Sequence, residues 1–509
     1  MNKKVIEAAR AAFPADGARI TLGAVVHDNA CHPEPLVTVP LGMMNRHGLI
    51  AGATGTGKTK SLQLIAEQLS AAGVPVFLAD LKGDVSGIAV PGEANDRITQ
   101  RAKDTGWSWK PAGFPVEFLS LTGRPGAQLR ATASSFGPLL LAKVLQLNDT
   151  QASVLSLVFK YCDDKGLALL DFADLRAVLQ HLTGEGAGEL KDYGGMSTGT
   201  VGVLLREMVE LEQQGAEAFF GEPEFDLDDL MQVRDGRGLV SVLELNDVQD
   251  RPALFSTFMM WLLARLYNDL PEVGDLDKPK LVFFFDEAHL LFAGASKEFL
   301  QQVQQVVRLI RSKGVGVFFV TQSPKDIPAD VLGQLGHRVQ HALRAFTPDD
   351  DKALKAAART FPKTDCYDIE EALTTLGTGE ALVTVLTARG TPTPPFATRM
   401  IPPAARMSPL DEAVMAERLA SPQARKYAQA VDRESAREIL AGRMTAAPEA
   451  APMPGRAPMP GRAGGSRRPP PSTLETILKS PTTRSLANTV MRGVLGALLG
   501  TRARRRPRF

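Results

Sequence analysis

Short runs of apolar residues, each ended by glycine, proline or polar residues, recur along the chain and predict β-strands. Eight such runs lie at 47–51, 74–79, 116–121, 239–245, 281–285, 315–321, 339–343 and 381–386. Stretches with the apolar spacing of helices separate most of them. Strands that are apolar on both faces and alternate with helices predict an α/β fold, in which helices flank a mainly parallel sheet.

Strand signals stop between residues 131 and 235, and helical patterns replace them at 138–147, 151–163, 172–182 and 198–214. This change predicts a helical insertion within one α/β core. We therefore divide the first 401 residues into a short N-terminal segment, a first part of the core, the helical insertion and a second part of the core, at 1–46, 47–130, 131–235 and 236–401.

Beyond the last predicted strand the composition becomes rich in proline, beginning with Thr391-Pro392-Thr393-Pro394-Pro395. Helices and inner strands do not accept such a run. We predict a helical extension, a disordered linker that repeats APMPGR, and a basic amphipathic tail, at 402–445, 446–472 and 473–509.

The tail carries an excess of positive charge that the total conceals. From Arg443 onward, thirteen Lys and Arg against two Glu give +11, whereas the whole chain is +1, so the residues before it carry −10. A short amphipathic helix over 486–499 precedes the last arginines. It fits docking on the body or on a neighbouring subunit, contact with nucleic acid, or contact with an anionic membrane.

The 509 residues are 44% apolar and 23% charged, which is ordinary for a globular protein. No run reaches the roughly 18 apolar residues that span a bilayer, and 253–270 reads as a buried helix. The first residues do not have the pattern of a secretory leader, so we expect a cytoplasmic protein. Through its basic tail it could also lie at the surface of a membrane or at the nucleoid. The widely spaced Cys31, Cys162 and Cys366 predict neither structural zinc nor disulfides.

One segment matches the pattern G-x-x-x-x-G-K-[ST] and lies where that pattern needs to lie, between a predicted strand and a predicted helix. It reads Gly52-Ala53-Thr54-Gly55-Thr56-Gly57-Lys58-Thr59, with Lys60 following. The glycines allow backbone N–H groups to surround phosphates. Lys58 is expected on the β- and γ-phosphates and Thr59 on Mg²⁺, so the segment 52–60 predicts binding of ATP with magnesium.

A second acidic motif follows a run of five apolar residues, Leu281-Val282-Phe283-Phe284-Phe285. Such a run is a buried strand, and it delivers Asp286 and Glu287 to the carboxyl edge of the sheet, where the phosphate loop also lies. We expect Asp286 to hold the metal through water. Glu287 is expected to orient and deprotonate the attacking water.

Further polar residues lie at the ends of predicted elements. Gln322 follows the strand 315–321 and is either a sensor of the γ-phosphate or simple loop polarity. Asp80 ends the strand 74–79 and either joins the outer shell of the metal or caps its loop. Arg308 and Arg311 end a helix, where they cap its dipole or reach the active site of a neighbouring subunit.

Taken together, these residues resemble the HerA/FtsK group of ring-forming ATP-driven translocases, and most closely the bacterial HerA-like proteins of the YjgR type. The resemblance extends to about residue 401. Its motifs, in order, are RHGLIAGATGTGKT from Arg46, DLKGD from Asp80, KPKLVFFFDEAHLLF from Lys278, RLIRSKGVGVFFVTQSPKDIP from Arg308 and GQLGHRVQHALRAFTP from Gly333.

The resemblance implies a RecA-like fold of the additional-strand (ASCE) P-loop class, in which one strand separates the phosphate-loop strand from the Asp286 strand. It implies a hexameric homo-oligomer that acts on DNA, with Arg311, or alternatively Arg308, inserted into the neighbouring site. Archaeal HerA proteins carry an N-terminal β-barrel domain, whereas 51 residues precede Gly52 here. Translocation or unwinding of DNA is therefore an expectation by analogy.

Two other functions compete with a DNA motor. A motor that acts on protein, resembling type IV secretion ATPases, would share the same core and could use the basic tail at a membrane. A nucleotide-dependent switch or small-molecule kinase is the third reading, although the chain lacks the Asn-Lys-x-Asp motif of regulatory GTPases. All three readings retain ATP and Mg²⁺.

Overall fold

The computed structural model describes residues 2–123, 126–292, 297–429, 431 and 433–445. The predicted linker and tail lie outside these residues. The strands are β1 Arg19–His27, β2 Ala30–Pro40, β3 Gly48–Ala51, β4 Val76–Asp80, β5 Val116–Ser120, β6 Ala127–Gln128, β7 Val233–Arg234, β8 Arg237–Gly238, β9 Val240–Glu244, β10 Leu281–Phe285, β11 Val315–Thr321, β12 His337–His341, β13 Glu380–Thr384 and β14 Phe396–Met400.

The helices are α1 Asn2–Ala12, α2 Lys58–Ala71, α3 Asp96–Thr105, α4 Ala133–Val144, α5 Asp149–Lys165, α6 Phe172–Thr183, α7 Thr198–Gln213, α8 Ala216–Phe219, α9 Pro252–Asp269, α10 His289–Phe292, α11 Lys297–Ile310, α12 Ala329–Leu332, α13 Pro348–Ala358, α14 Ile369–Thr375, α15 Glu412–Leu419, α16 Pro422–Ala428 and α17 Ala436–Thr445. Short 3₁₀ turns cover Leu41–Arg46, Ser86–Ala89, Glu185–Tyr193, Leu227–Met231, Arg311–Lys313 and Pro324–Asp326. None of the helices within the described ranges is both long and apolar enough to cross a bilayer.

Twelve of the described strands form one sheet in the order β2-β1-β14-β13-β12-β3-β11-β10-β4-β9-β5-β6. The eight strands from β12 to β6 run parallel to their neighbours, and the pairings from β12 through β2 are antiparallel. All eight predicted strands are confirmed. The order also confirms the RecA-like expectation, because β11 lies between the phosphate-loop strand β3 and the Asp286 strand β10.

The central strands are buried on both faces because helices cover both sides of the sheet. On β10, Phe283 and Phe285 join a core with residues of α4 to α9 and α11. Val282 and Phe284 point to the opposite side and join a core with α1 and α2. Alternate residues of one strand therefore serve two cores, which explains the unbroken apolar run in the sequence.

Helices fill the region between β6 and β9, where helical patterns replaced strand signals. Two of these helices begin with capping boxes, in which Asn148 pairs with Gln151 and Asp171 pairs with Asp174. Such reciprocal hydrogen bonds satisfy the free N–H groups of a first helical turn. Helix α4 begins earlier than predicted, at Ala133, and is interrupted by the left-handed Gly137 (φ 73°) before Pro138.

Six strands were not predicted, namely the two-residue β6, β7 and β8 and the longer β1, β2 and β14. β1 and β2 form a hairpin, and β14 joins that hairpin to β13 by antiparallel pairing. β2 contains Pro33 and Pro35, which a strand accepts at the edge of a sheet, and β2 is the edge strand. The N-terminal segment is thus built into the main sheet, and the proline-rich run after β13 connects two neighbouring strands.

Candidate active site

The parallel strands β3, β11, β10 and β4 end at one edge of the sheet, and the predicted chemical groups follow those ends. Gly52 follows β3, Gln322 follows β11, Asp286 follows β10, and Asp80 is the last residue of β4. The edge at the carboxyl ends of such strands is where ligands bind in open α/β sheets. The structure therefore brings these four sequence signals to one place.

The phosphate loop has the backbone that its glycines permit. Gly52, Gly55 and Gly57 have φ of 152°, 77° and 117°, values that side chains rarely allow. A Cβ on Gly52 would lie 2.5 Å from the Cβ of His341. A Cβ on Gly55 would meet nothing within 4 Å, so glycine is needed there for conformation and not for space.

Hydrogen bonds fix the loop from both sides. The Ala53 N–H donates to the Ala342 carbonyl at 2.9 Å, and the Gly379 N–H donates to the Thr56 carbonyl at 2.9 Å. The Thr56 hydroxyl and the Lys58 ammonium both donate to the Ala53 carbonyl, at 2.7 and 3.2 Å. Residues directly next to β12 and β13 thus fix the shape of the loop.

Lys58 is 7% exposed, and burial lowers the pKa of its ammonium while the nearby Glu287 and Asp286 oppose that effect. Thr59, the second residue of α2, is half-buried, and Thr54 in the loop is exposed. A lysine and a hydroxyl at the start of a helix, beside free loop N–H groups, suit an anion with its metal.

Lys60 has a different environment from the loop. Its ammonium donates to the Met407 carbonyl, beyond β14, and burial lowers its pKa. Two more side chains of α2 hold the same segment: the Gln63 amide donates to the Arg406 carbonyl at 2.9 Å, and the Glu67 carboxylate accepts the Ala404 N–H at 2.6 Å. Lys60 therefore anchors the segment after β14 against α2, and its predicted place in nucleotide binding remains a prediction.

His341, at the end of β12, was not identified from the sequence. Its Nδ1 lies 2.8 Å from the Glu380 carbonyl and its Nε2 2.9 Å from the Ser61 hydroxyl. A carbonyl can only accept, so Nδ1 donates and Nε2 accepts from Ser61. Burial lowers the pKa of His341 to about 4, so the ring is neutral and ties the start of α2 to the sheet.

Asp286 directly follows β10 and is held by its own turn. Its Oδ1 accepts the Glu287 N–H at 2.9 Å, whereas its Oδ2 is buried and has no hydrogen-bond partner among the described residues. Burial raises the pKa of Asp286 to about 7, and the charges of Glu287, Asp80 and Asp84 add to that effect. A buried oxygen without a donor fits a metal-bound water or a metal.

Glu287 is 4% exposed and has a left-handed backbone, with φ of 46°. Its Oε1 accepts from the Lys82 ammonium, and its Oε2 lies 3.3 Å from Nδ1 of His289. Burial would raise the pKa of Glu287, but Lys82, His289 and the amide of the exposed Gln322 together hold it below its usual value. The carboxylate is therefore ionised and oriented, and Lys82 is a contact that the sequence did not reveal.

Asp80 caps its own loop, one of the two predicted roles. Its carboxylate accepts the N–H groups of Lys82, Gly83 and Val85 at 3.1, 2.9 and 2.9 Å. Carboxylate oxygens of Asp80, Asp84 and Asp286 also lie within 4.8 Å of one another. The metal role is therefore geometrically open to Asp80, and Asp84 joins it as a residue that was not singled out from the sequence.

Arg308 and Arg311 lie far from this edge. They are exposed at the end of α11 and in the following 3₁₀ turn, before the first residue of β11, whereas Gln322 follows its last residue. A seven-residue strand separates the two ends by roughly 20 Å. These arginines therefore cannot serve the site of their own chain, and any role in hydrolysis requires a second copy.

The chain matches the family model described as helicase HerA-like C-terminal over residues 27–506. A probable helicase of Methanocaldococcus jannaschii, MJECL08, is 28% identical over 151 residues, which are 28% of this chain and 28% of the relative. The DNA double-strand break repair helicase HerA of Sulfolobus acidocaldarius is 21% identical over 349 residues, 68% of this chain and 64% of the relative. The chain thus spans less than two thirds of these relatives.

A solved structure, of the bacterial conjugative coupling protein TrwBdeltaN70, has a similar fold. The TM-score is 0.50 at 15% identity, and the alignment covers 79% of this chain and 92% of that chain. At this identity the similarity concerns the fold, and the fold is the parallel sheet with the phosphate loop at its carboxyl edge.

Proposed function

We propose that this chain, which belongs to the helicase HerA-like C-terminal family, hydrolyses ATP with Mg²⁺ and couples hydrolysis to translocation on DNA as a homo-oligomeric ring. The observation that carries the ATPase proposal is the edge of the sheet, where the phosphate loop faces an ionised, buried Glu287. Family membership supports a helicase-type motor, whereas DNA as its substrate and a hexamer as its assembly are our proposals.

The residues present fit nucleotide and magnesium. The loop 52–59 offers N–H groups, Lys58 offers a buried cation, and Thr59 offers a hydroxyl beside them. Asp286 offers a buried oxygen that lacks a donor. A bound Mg²⁺ would neutralise charge on the β- and γ-phosphates. These groups would hold the nucleotide with its γ-phosphate toward β11 and β10.

Hydrolysis then requires a water aligned with the γ-phosphate and a group that accepts its proton. Glu287 is suited to that role because its carboxylate is ionised, held by contacts with Lys82 and His289, and within contact of Gln322. The Gln322 amide can bond phosphate oxygen and water together. Removal of such a base lowers the rate of the chemical step by about 10²- to 10⁴-fold.

The positions of two arginines indicate how the subunits would be arranged. Since Arg308 and Arg311 lie at the opposite end of β11 from Gln322, they can reach a phosphate loop only in another copy of the chain. We propose that Arg311 stabilises the γ-phosphate of a neighbouring subunit, with Arg308 as the second candidate. Hydrolysis would then depend on assembly.

Steady-state ATP hydrolysis tests this proposal, measured with and without single- and double-stranded DNA for the wild type, Glu287→Gln and Arg311→Ala. Each variant alone should lose most activity. A mixture of the two should recover part of it, because a mixed ring pairs an intact Glu287 with an intact Arg311 at some interfaces. Arg308→Ala is measured alone and mixed with Glu287→Gln in the same way. The arginine whose variant loses activity alone and recovers it in the mixture is the one that acts on the neighbouring site.

DNA should stimulate the wild type, and the stimulation should weaken as salt rises, since phosphate contacts release counterions. Hydrolysis that requires Glu287 but is not stimulated by DNA would support the ATPase proposal and favour protein as the substrate of the motor. Full hydrolysis by Glu287→Gln would contradict the proposed role of Glu287 as the base. If both variants are inactive and stay inactive when mixed, the active site is not shared between subunits.

A further inference from the structure

A row of three acidic residues crosses three neighbouring strands. Asp80 of β4 pairs in register with Glu244 of β9, so their side chains share one face of the sheet. On the other side of β4, Phe285 of β10 pairs with Ala79, which places Asp286 level with Asp80. Side chains that are level on adjacent strands lie about 5 Å apart at Cβ. Asp286, Asp80 and Glu244 therefore form a row of acidic side chains.

A fourth carboxylate reaches the row through the turn after β4. The Asp80 side chain binds the backbone N–H groups of Gly83 and Val85 and thereby folds the segment back on itself. As a result Asp84 comes within 4.8 Å of both Asp80 and Asp286, measured between carboxylate oxygens. The loop is built so that the three aspartates converge.

Several oxygens of this group are buried without a donor from the part of the chain that the structure describes. They are Oδ2 of Asp286, Oδ1 of Asp84 and Oε1 of Glu244, and the Glu244 residue is only 2% exposed. Burial raises the pKa of Glu244 to about 8, with Asp80 and Asp84 contributing. Unpaired buried carboxylate oxygens destabilise a fold unless a proton or a cation satisfies them.

The lysines around the group are engaged elsewhere. The ammonium of Lys82 contacts Glu287, that of Lys60 contacts the Met407 carbonyl, and that of Lys58 contacts the Ala53 carbonyl. They soften the negative potential of the aspartates through space. Their donated hydrogen bonds go to other atoms, so the converging oxygens retain free lone pairs.

We propose that Asp80, Asp84 and Asp286 bind a divalent cation of the Mg²⁺ or Mn²⁺ class in the absence of nucleotide, with Glu244 beside Asp80 on the neighbouring strand. Three carboxylates offer the hard oxygen ligands that these ions prefer, and their partly exposed side leaves room for water. The proposal shares Asp286 with the proposed function but needs neither ATP nor Thr59. The three aspartates thus form a cation-binding unit that does not depend on nucleotide.

Titration of the nucleotide-free, full-length protein with Mn²⁺, followed by the electron paramagnetic resonance signal of the free ion, tests the proposal. The wild type should bind about one ion per chain, and Asp84→Asn should bind at least tenfold more weakly, as expected on loss of one ligand. Thr59→Ala should bind as the wild type does. Asp330→Asn, at an exposed aspartate on α12, controls for non-specific charge loss.

Thermal unfolding gives a second readout and a check on folding. In a chelator, Asp84→Asn should melt no lower than the wild type, because it removes one of several converging like charges. With Mn²⁺, the wild type should gain more in melting temperature than the variant, because an ion that binds only the folded state stabilises it. Asp84→Ser provides the same comparison should the Asn variant fold poorly.

Equal Mn²⁺ affinity of the wild type and Asp84→Asn would overturn the proposal, as would a wild type that binds Mn²⁺ only together with ATP. The first result would mean that Asp84 does not bind the ion, and the second would mean that the aspartates need nucleotide to hold it. Failure of the ATPase proposal is a separate result, because it appears in the hydrolysis assay and leaves nucleotide-free Mn²⁺ binding unchanged.

Discussion

The carboxyl edge of the sheet has two halves with opposite chemistry. In the half formed by β3 and β12, the loop 52–59 has no acidic residue and presents N–H groups and Lys58, beside a neutral His341. In the half formed by β10, β4 and β9, five acidic side chains gather: Asp80, Asp84, Glu244, Asp286 and Glu287. Strand β11 lies between the halves and ends in Gln322.

The two halves suit the two charges of a metal–nucleotide complex. The half with the phosphate loop presents positive charge and N–H groups, and the other half presents carboxylates. Both halves are partly buried, so a ligand of opposite charge would stabilise each of them. An anion such as a triphosphate completes the first half, and a cation completes the second. Because a single strand separates them, one metal–nucleotide complex can satisfy both.

Lys58→Met, in the half with the phosphate loop, should have the largest effect, on the affinity for ATP. The substitution removes the buried cation, and a lost hydrogen bond to a charged group corresponds to about 10- to 100-fold weaker ATP binding. Isothermal titration calorimetry measures this change. Lys60→Met is the matched control two positions later: its ammonium contacts Met407, so affinity should change by less than about threefold. Equal losses in both would mean that Lys60 also holds phosphate.

Lys82→Met, in the acidic half, should have an intermediate effect, on the pH dependence of hydrolysis. Without that ammonium, burial raises the pKa of Glu287, and protonation removes the base at low pH. The acid limb of the kcat profile should therefore move to higher pH, and the rate on that limb falls about tenfold for each pH unit of displacement. Lys82→Arg should restore the wild-type limb. A profile that keeps its position in Lys82→Met would show that His289 and Gln322 suffice.

Glu244→Gln should have the smallest effect on ATP binding and hydrolysis, because its effect is on stability. The folded-state pKa of Glu244, about 8, lies above its unfolded value of about 4.3, so the folded chain binds the proton more tightly. The wild type should therefore lose free energy of unfolding as pH rises from 5 to 8, relative to the variant, by at most about 1.4 kcal/mol per pH unit. Urea unfolding in a chelator measures it. Parallel pH curves for the two proteins would contradict the assignment.

The sequence alone predicted the elements whose signals are local. The eight apolar runs became strands, because a strand buried on both faces must be apolar throughout. The pattern around Lys58 and the acidic pair after β10 were readable for the same reason, since each motif lies within a few consecutive residues. The RecA-like order of strands followed from the resemblance, and the sheet confirms it.

Only the tertiary structure decided the contacts between distant parts of the chain. β1 and β2 joined the sheet through β14, nearly 400 residues away, although their sequences are interrupted by polar residues and prolines. Lys82 met Glu287, Asp84 met Asp286, and His341 met Ser61, each across more than 200 residues. No local pattern specifies such pairs, because burial and sheet register, and not sequence spacing, bring them together.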